Sequence, residues 1–253
     1  MSIDIKTKEE IEIMREGGEI LAKIMKELGK MVRPGITTKE LDRVSETLIF
    51  KLGGKCSFKG HQNFPACLCV SINEEVVHSV PSDRILQEGD IVSLDLGIFY
   101  KGFHTDMAVT LPVGRPGIVV EEASRLIHIT KEALDRGIKE VKPGNTFSDI
   151  GNAVQKYVES QGFNVVRELC GHGIGKELHE EPQISNYGER HTGPEIKEGM
   201  VFCIEPMVMA GNWKLKKSND GFGYETEDGS LSAHFEHTIA VTKKGYLVLT
   251  ELK

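Results

Sequence analysis

Two aspartates lie in neighbouring apolar segments of the kind that forms a β-hairpin. Asp95 is within residues 91–99 and Asp106 is within residues 103–111, and both segments are rich in the residues that favour strands. Two carboxylates close together on apolar strands repel each other and lose hydration, so they need a shared proton or a cation between them. The alternative is a pair of surface aspartates on the solvated face of an edge hairpin.

The turn between these segments decides how the aspartates face each other. A two-residue turn at Tyr100 and Lys101 places Asp95 directly opposite Asp106. A turn at Lys101 and Gly102 makes them diagonal neighbours on the same face, whereas a three-residue loop puts them on opposite faces. We take the first register as a working assumption.

Two glutamates also lie in apolar segments with strand character. Glu205 is within residues 201–208 and Glu236 is within residues 232–241. A carboxylate in such a strand indicates a functional site, because acids are rarely buried without a partner. A solvated position at the rim of a strand explains either glutamate taken singly. Two of them beside an aspartate pair favour a shared site.

His172 completes the set and stands in a glycine-rich segment, between Gly171 and Gly173. Flanking glycines let the backbone and a ligand approach closely. The glycine spacing does not complete the dinucleotide-binding pattern, which also requires a strand, a turn and a helix. A structural histidine remains the alternative for a single imidazole.

Together these side chains form a hard ligand set of four carboxylates and one imidazole. Such a set suits divalent Mn, Fe, Co or Zn better than a thiolate-type zinc site. Five ligands exceed what one catalytic ion with an open position usually takes, and bridging carboxylates commonly hold two ions. The predicted ligands are Asp95, Asp106, His172, Glu205 and Glu236.

A repeated segment indicates how the chain positions these residues. Residues 32–41 are similar to residues 141–150, at an offset of 109. In each copy a Pro-Gly turn precedes a threonine that can cap a helix, with an acid three residues later. Chance recurrence of turn and cap signals is the alternative to duplication. We predict one domain, 1–253, with related halves at roughly 7–115 and 119–245.

Helical patterns precede each copy of the repeat, and strand patterns follow it. Helices followed by strands, twice over, predict an α+β fold in which two sheet halves merge and are covered by helices. The predicted helices are 7–31 and 120–138; the predicted strands are 66–73, 91–99, 103–111, 164–169, 201–209, 230–242 and 246–249.

Composition limits the classes of function. The 253 residues carry 31 basic and 38 acidic side chains, a net charge of −7, which argues against a dominant role in binding DNA or an anionic membrane. No apolar run reaches the ~18 residues that span a bilayer, and the amino terminus lacks a signal-peptide core. The five cysteines, an odd number, do not suggest a disulfide framework. We therefore expect a cytoplasmic protein.

With these residues in this order, the sequence resembles the type I methionine aminopeptidases, which are metallopeptidases with the pita-bread fold. The similarity runs from the first helix to Thr242. It implies two pseudo-symmetric halves around a central antiparallel sheet covered by helices. It also implies that the five predicted ligands hold two divalent ions per chain, with Asp106 and Glu236 bridging them. The segments that carry the resemblance surround Asp95 and cover 102–106, 171–182, 204–206 and 230–238.

The resemblance assigns further roles. Glu205 also serves as general base, His179 stabilises the tetrahedral intermediate, and His78 lies near the scissile amide. By spacing alone, each histidine fits a structural or surface position better. The implied substrate-binding residues are Phe58, His61, Phe64, Cys69, His78, Leu178, His179 and Phe222. Four of these depart from the familiar bacterial form, which has cysteine, tyrosine, phenylalanine and tryptophan where this chain has Phe58, His61, Leu178 and Phe222. These departures concern the size of the pocket and the rate more than the class of reaction.

The implied activity is removal of the amino-terminal methionine from nascent polypeptides whose second residue is small. A monomer is expected, and transient association with the ribosome is compatible with such substrates. One alternative is an X-Pro-type peptidase of the same fold, but those relatives usually carry a separate amino-terminal domain for which this sequence has no room. The other is a non-catalytic peptide-binding module, which predicts missing ligands, whereas all five are present.

Overall fold

The computed structural model describes residues 3–115 and 117–252. Within these ranges no helix combines the length and apolar character needed to cross a membrane. The helices are α1 (Lys8–Met31), α2 (Thr38–Lys51), α3 (Glu121–Lys139) and α4 (Phe147–Ser160), with a short 3₁₀ turn at His61–Asn63. The strands are β1 (Lys55–Cys56), β2 (Leu68–Ile72), β3 (Glu75–Val77), β4 (Ile91–Tyr100), β5 (Phe103–Pro112), β6 (Asn164–Val165), β7 (Cys170–Gly173), β8 (Glu180–Ser185), β9 (Val201–Ile204), β10 (Met207–Met209), β11 (Leu215–Lys217), β12 (Tyr224–Thr226), β13 (Ser232–His234), β14 (Glu236–Thr242) and β15 (Gly245–Val248).

The repeat seen in the sequence recurs in the backbone. At the start of α2, the Glu40 carboxylate accepts a hydrogen bond from the Thr37 N–H, and at the start of α4 Asp149 accepts one from Thr146, each at 2.8 Å. The glycines two residues before these threonines share a φ of 92°. Such a positive φ favours glycine, so the same turn leads into the same helix in both halves.

A nine-stranded sheet joins the two halves. Its spatial order is β1-β4-β5-β14-β9-β7-β8, with β2 beside β4 and β15 beside β14. The halves meet where β5 pairs with β14. Two three-stranded sheets, β13-β10-β6 and β11-β12-β3, complete the described strands. Every strand pairing in the described ranges is antiparallel.

The helices cover this sheet through separate apolar clusters. Leu21 of α1 and Leu41 of α2 belong to a buried cluster that includes Leu94 of β4. Ile150 of α4 belongs to a second cluster that includes Phe202 of β9. Burial of these helix and strand residues in shared clusters removes apolar surface from water, which is the main favourable term in holding the layers together. The α+β prediction is confirmed.

Two predicted strands are interrupted where the acids lie. The predicted strand 201–209 divides into β9 and β10, with Glu205 and Pro206 between them, and the predicted strand 230–242 divides at Phe235. Proline has no N–H to continue a ladder. The chain therefore leaves the large sheet, and β10 pairs instead with β13. The predicted strand 164–169 is also too long, since only Asn164–Val165 is extended.

One pair of cysteines was not expected from the sequence. Cys56 and Cys67 form a disulfide, with their Cα atoms 5.2 Å apart. Both β1 and β2 pair with the same strand, since Cys56 lies opposite Ile98 and Leu68 lies opposite Leu96 of β4. This shared partner brings the two ends of the intervening loop together. The cysteine count therefore gives no support for a reducing compartment.

Gly18 tests how α1 is held against the sheet. A methyl group at this position would overlap the backbone carbonyl of Leu249, which cannot move as a side chain can. We expect Gly18→Ala to lower the free energy of unfolding by about 1–3 kcal/mol, although alanine is the better helix former. Urea unfolding measures the change. Gly29→Ala is the matched control, since its methyl group meets only the flexible Leu111 side chain; equal losses in the two variants would contradict this contact.

Candidate functional site

The five predicted ligands come from five consecutive neighbours in the large sheet. In spatial order these strands are β4, β5, β14, β9 and β7. All five side chains line one cavity of about 1040 Å³. They are Asp95 on β4, Asp106 on β5, Glu236 at the start of β14, Glu205 directly after β9 and His172 on β7.

The hairpin register differs from the working assumption. The turn consists of Lys101 and Gly102, with φ of 47° and 95°, which fits a turn that needs left-handed backbone at both central residues. Asp95 therefore lies opposite Ala108, and Asp106 lies opposite Gly97. Direct pairing of the two aspartates is wrong. They are diagonal neighbours on one face, the second arrangement that the sequence allowed.

The structure brings potential metal ligands together in two groups that share a glutamate. One group contains Asp95, Asp106 and Glu236; the other contains His172, Cys203 and Glu236. In each group the ligand atoms lie within 4.8 Å of one another. Cys203 was not among the predicted ligands. Burial raises the pKa of its thiol, which disfavours the thiolate that binds metals.

Glu205 joins the second group through His172. The His172 Nε2 atom is 3.5 Å from a Glu205 carboxylate oxygen. The other ring nitrogen, Nδ1, donates to the Gly173 carbonyl at 2.9 Å. Burial lowers the pKa of His172 to about 3, so the ring is neutral and its Nε2 lone pair faces the cavity, as a metal ligand requires.

The acids are buried against one another. Burial, and then repulsion from Asp106, raises the pKa of Asp95, Glu205 and Glu236; burial raises the pKa of Asp106 itself to about 7. One oxygen each of Asp95, Asp106 and Glu236 is buried without a hydrogen-bond partner. Unpartnered buried carboxylate oxygens are costly, and cations resolve that cost. The residues present therefore fit divalent ions.

Close backbone approach makes room for this cluster. A methyl group on Gly171 would overlap the carbonyl oxygen of Cys203 on the adjacent β9. On the other side, the Thr238 hydroxyl accepts from the Asp106 N–H at 2.9 Å and donates to the Asp106 carbonyl at 2.8 Å. Strand β7 is thus held close to the site by backbone packing against β9, and β5 by hydrogen bonds between its backbone and the Thr238 side chain.

The two predicted catalytic histidines also line the cavity. The His179 ring lies 4.4 Å from the His172 ring and 5.2 Å from the His61 ring, between centroids. His78 has a φ of 60°, a strained backbone conformation that is enriched at functional sites. Burial lowers the pKa of His78 and of His179 to about 4. Both rings are therefore neutral near pH 7 and able to donate an N–H without bringing charge.

The predicted methionine-pocket residues line the same cavity. They are Phe58, His61, Phe64, Cys69, Leu178 and Phe222. Phe64 and Phe222 make an edge-to-face contact at 5.5 Å, and the Nε2 atom of His61 is buried without a hydrogen-bond partner. The first three belong to the loop that the Cys56–Cys67 disulfide closes.

His234 is a neighbour of the site that the sequence did not reveal. It is fully buried, and its Nε2 atom lies 3.7 Å from a Glu205 carboxylate oxygen. Neither ring nitrogen has a hydrogen-bond partner. The sequence alone did not identify His234 as a neighbour of Glu205, because the two residues come together only where two sheets meet.

A family model matches most of the chain. The model of metallopeptidase family M24 matches residues 12–243. The chain belongs to metallopeptidase family M24. It is therefore an enzyme, a hydrolase that uses metal ions.

Individual relatives are similar to this M24 chain along nearly its whole length. It is 48% identical over 247 residues to methionine aminopeptidase 1 of Bacillus subtilis strain 168, covering 98% of each chain. It is 44% identical to methionine aminopeptidase of Escherichia coli strain K12, covering 99% of this chain and 94% of that one.

Solved structures confirm the pita-bread fold. The crystal structure of methionine aminopeptidase from Rickettsia prowazekii matches with a TM-score of 0.96 at 39% identity, covering 99% of this chain and 100% of that one. Prolidase from Pyrococcus furiosus matches with a TM-score of 0.78 at 28% identity, covering 98% of this chain and 66% of that one.

The raised pKa of Asp106 predicts how the metal-free protein responds to pH. Between its ordinary pKa of 3.8 and the folded value of about 7, the folded state holds a proton that the unfolded chain releases. The free energy of unfolding should therefore fall as pH rises through this window. Urea unfolding of chelator-treated protein from pH 5 to pH 8 measures it. Asp106→Asn should flatten the slope, since the amide does not titrate; an unchanged slope would contradict the assignment.

Proposed function

We propose that the chain is an aminopeptidase that removes the amino-terminal methionine from proteins and peptides whose second residue is small. The observation that carries the proposal is the meeting of the acidic cluster, four histidines and a mostly apolar pocket in one cavity. Relatives named methionine aminopeptidase, at 44–48% identity over nearly the full chain, support it. The X-Pro alternative has weaker support, because the matching prolidase is a longer and more distant chain.

Two divalent ions per chain, Co, Mn, Fe or Zn, are held in this proposal by Asp95, Asp106, His172, Glu205 and Glu236, with Asp106 and Glu236 shared between them. The unpartnered carboxylate oxygens and the neutral His172 ring support this ligand set. When bound, such ions polarise a carbonyl group and lower the pKa of water.

Glu205 carries the proton in the proposed reaction. Burial raises the pKa of its carboxyl group, so this carboxylate accepts a proton from the attacking water more readily than an ordinary glutamate does. It then passes the proton to the leaving amine, and one residue serves as base and as acid. A raised pKa favours this double role, because it makes the carboxylate a stronger base than an ordinary glutamate.

The two histidines act on the substrate's amide in this proposal. His179 directs an N–H at the carbonyl oxygen as negative charge develops there, and His78 lies by the scissile amide. A donor fixed in a buried site stabilises developing charge without reorganising at the moment of reaction. Neutral rings suit these roles, and the lowered pKa of each histidine supports them.

The pocket selects methionine by shape and polarity. Phe58, Phe64, Cys69, Leu178 and Phe222 surround a mostly apolar space, which suits an unbranched thioether side chain. His61 adds a polar ring nitrogen to this wall, so we expect a narrower tolerance for other apolar first residues than a wholly apolar wall allows.

The proposed substrates are amino termini of newly made chains in the cytoplasm. One chain supplies all the proposed ligands, from both halves of the sheet, which supports a single catalytic domain acting as a monomer. Transient association with the ribosome is compatible with these substrates.

A peptide series tests the reaction. Apo protein reloaded with Mn, Co or Fe should release methionine from Met-Ala-Ser, because the pocket fits the thioether. Leu-Ala-Ser and Ala-Pro-Ala are the controls and should be cleaved far more slowly. Mass spectrometry of the products measures release. Cleavage of Ala-Pro-Ala without cleavage of Met-Ala-Ser would favour the X-Pro reading and overturn this one.

Asp106→Asn tests the proposed ligand set. The change removes one carboxylate oxygen from a residue proposed to be shared by both ions, so metal occupancy and peptide cleavage should fall together. The loss should exceed the ~10–100-fold that changes around the ligands usually cost. Metal content after dialysis and the initial rate measure it. Asp135→Asn, at an exposed position on α3, is the control. Retention of both properties by Asp106→Asn would exclude the two-ion centre.

A further inference from the structure

A lysine is buried beside the turn that carries His179. Lys6, in the segment before α1, is only 6% exposed. Removing an ammonium group from water is costly unless an opposite charge offsets it. Here the Lys6 Nζ atom donates to the Glu180 carboxylate, and the Asp4 carboxylate lies 3.6 Å away. The ion pair with Glu180 is thus the reason that this lysine can be buried.

Glu180 in turn closes the turn between β7 and β8. Its carboxylate accepts a hydrogen bond from the Glu177 N–H at 3.1 Å. Within the turn, the Gly175 N–H donates to the Glu177 carbonyl, also at 3.1 Å. This hydrogen bond connects Glu177 to Glu180, and Leu178 and His179 lie between these two residues in the sequence. The position of that carboxylate therefore fixes the backbone from which both side chains enter the cavity.

The space beneath the turn is filled by this ion pair. A methyl group on Gly175 would overlap the Lys6 side chain and would lie 2.8 Å from the Glu180 carboxylate. The Gly175 carbonyl also accepts from the His104 N–H at 2.7 Å. The turn is thus packed on one side by the Lys6–Glu180 pair and tied on the other to β5.

Lys6 is itself held by rigid elements. Its own N–H donates to the Gly199 carbonyl at 2.8 Å, just before β9. The next residue, Thr7, is the capping residue of α1 and forms a capping box with Glu10. Because these contacts already fix the backbone of Lys6, its ion pair with Glu180 costs only side-chain rotamer freedom. Lys6 is therefore a fixed support for the turn.

We propose that Lys6 is a positioning residue for the reaction, acting through its ion pair with Glu180 to hold the turn that carries His179. The inference rests on the proposed function, since it assigns Lys6 to the placement of a group that acts on the substrate. Misplacing such a group by about 1 Å costs on the order of 100-fold in rate. The expected loss is mainly in kcat, because His179 acts on charge that develops during the reaction. KM should change less, since Leu178 is one of several residues that line the pocket.

Lys6→Met keeps the length of the side chain and removes its charge. We expect kcat for Met-Ala-Ser to fall about 10- to 100-fold, with a much smaller change in KM and unchanged metal content. Lys6→Arg should recover most of the loss, because it restores the cation. Lys101→Met is the matched control, since it removes an exposed ion pair, 2.7 Å from Glu16, of the kind that contributes little.

Backbone hydrogen exchange provides a readout that does not depend on activity. Amides of residues 176–180 should exchange faster in Lys6→Met than in the parent or in Lys101→Met, while amides in the body of the sheet remain unchanged. If the single variant does not fold, the double variant Lys6→Met/Glu180→Gln removes both charges and should show the same faster exchange and lower kcat.

The outcomes separate this inference from the proposed function. Parent-like kcat and exchange in Lys6→Met would overturn the positioning role, as would loss of bound metal in step with activity. A parent protein that fails to release methionine would overturn the proposed function alone, since the exchange experiment still measures whether Lys6 holds the turn.

Discussion

Four carboxylates buried within reach of one another impose the main constraint on this structure. Burial raises the pKa of each, and repulsion from Asp106 raises it further for Asp95, Glu205 and Glu236. Without cations the cluster must therefore hold protons or strain the fold. Neighbouring strands of the large sheet bring these charges together. The arrangement is unfavourable for stability by itself and is suited to binding divalent ions.

The two halves of the chain meet at this cluster. Each half supplies a helix that starts from the same glycine turn, and each contributes strands to the shared sheet. The first half brings the two aspartates on a tight hairpin, and the second brings Glu205, Glu236 and His172 on strands that are interrupted or glycine-rich. Where Pro206 ends β9, the chain passes into a second sheet, which leaves Glu205 at a strand end facing the cavity instead of fixed within a ladder.

The walls of the cavity are held in different ways. The disulfide between Cys56 and Cys67 closes the loop that carries Phe58 and Phe64. A covalent bond therefore constrains this side of the pocket. The turn that carries His179 has no such bond and relies on the buried pair of Lys6 and Glu180. The cavity therefore has two walls that are stabilised differently, one by a disulfide and one by a buried ion pair.

The sequence by itself determined the residue types of the site, the repeat and the fold class. Asp95 and Glu236 could be selected because acids are out of place in apolar strands, and the repeated glycine turns could be aligned because they depend on local backbone preferences alone. The hairpin register, the disulfide, the position of His234 and the partner of Lys6 were decided only by the tertiary structure. Each depends on contacts that local sequence patterns do not encode. A shift of one residue in strand register, or the packing of one sheet against another, changes which side chains face each other.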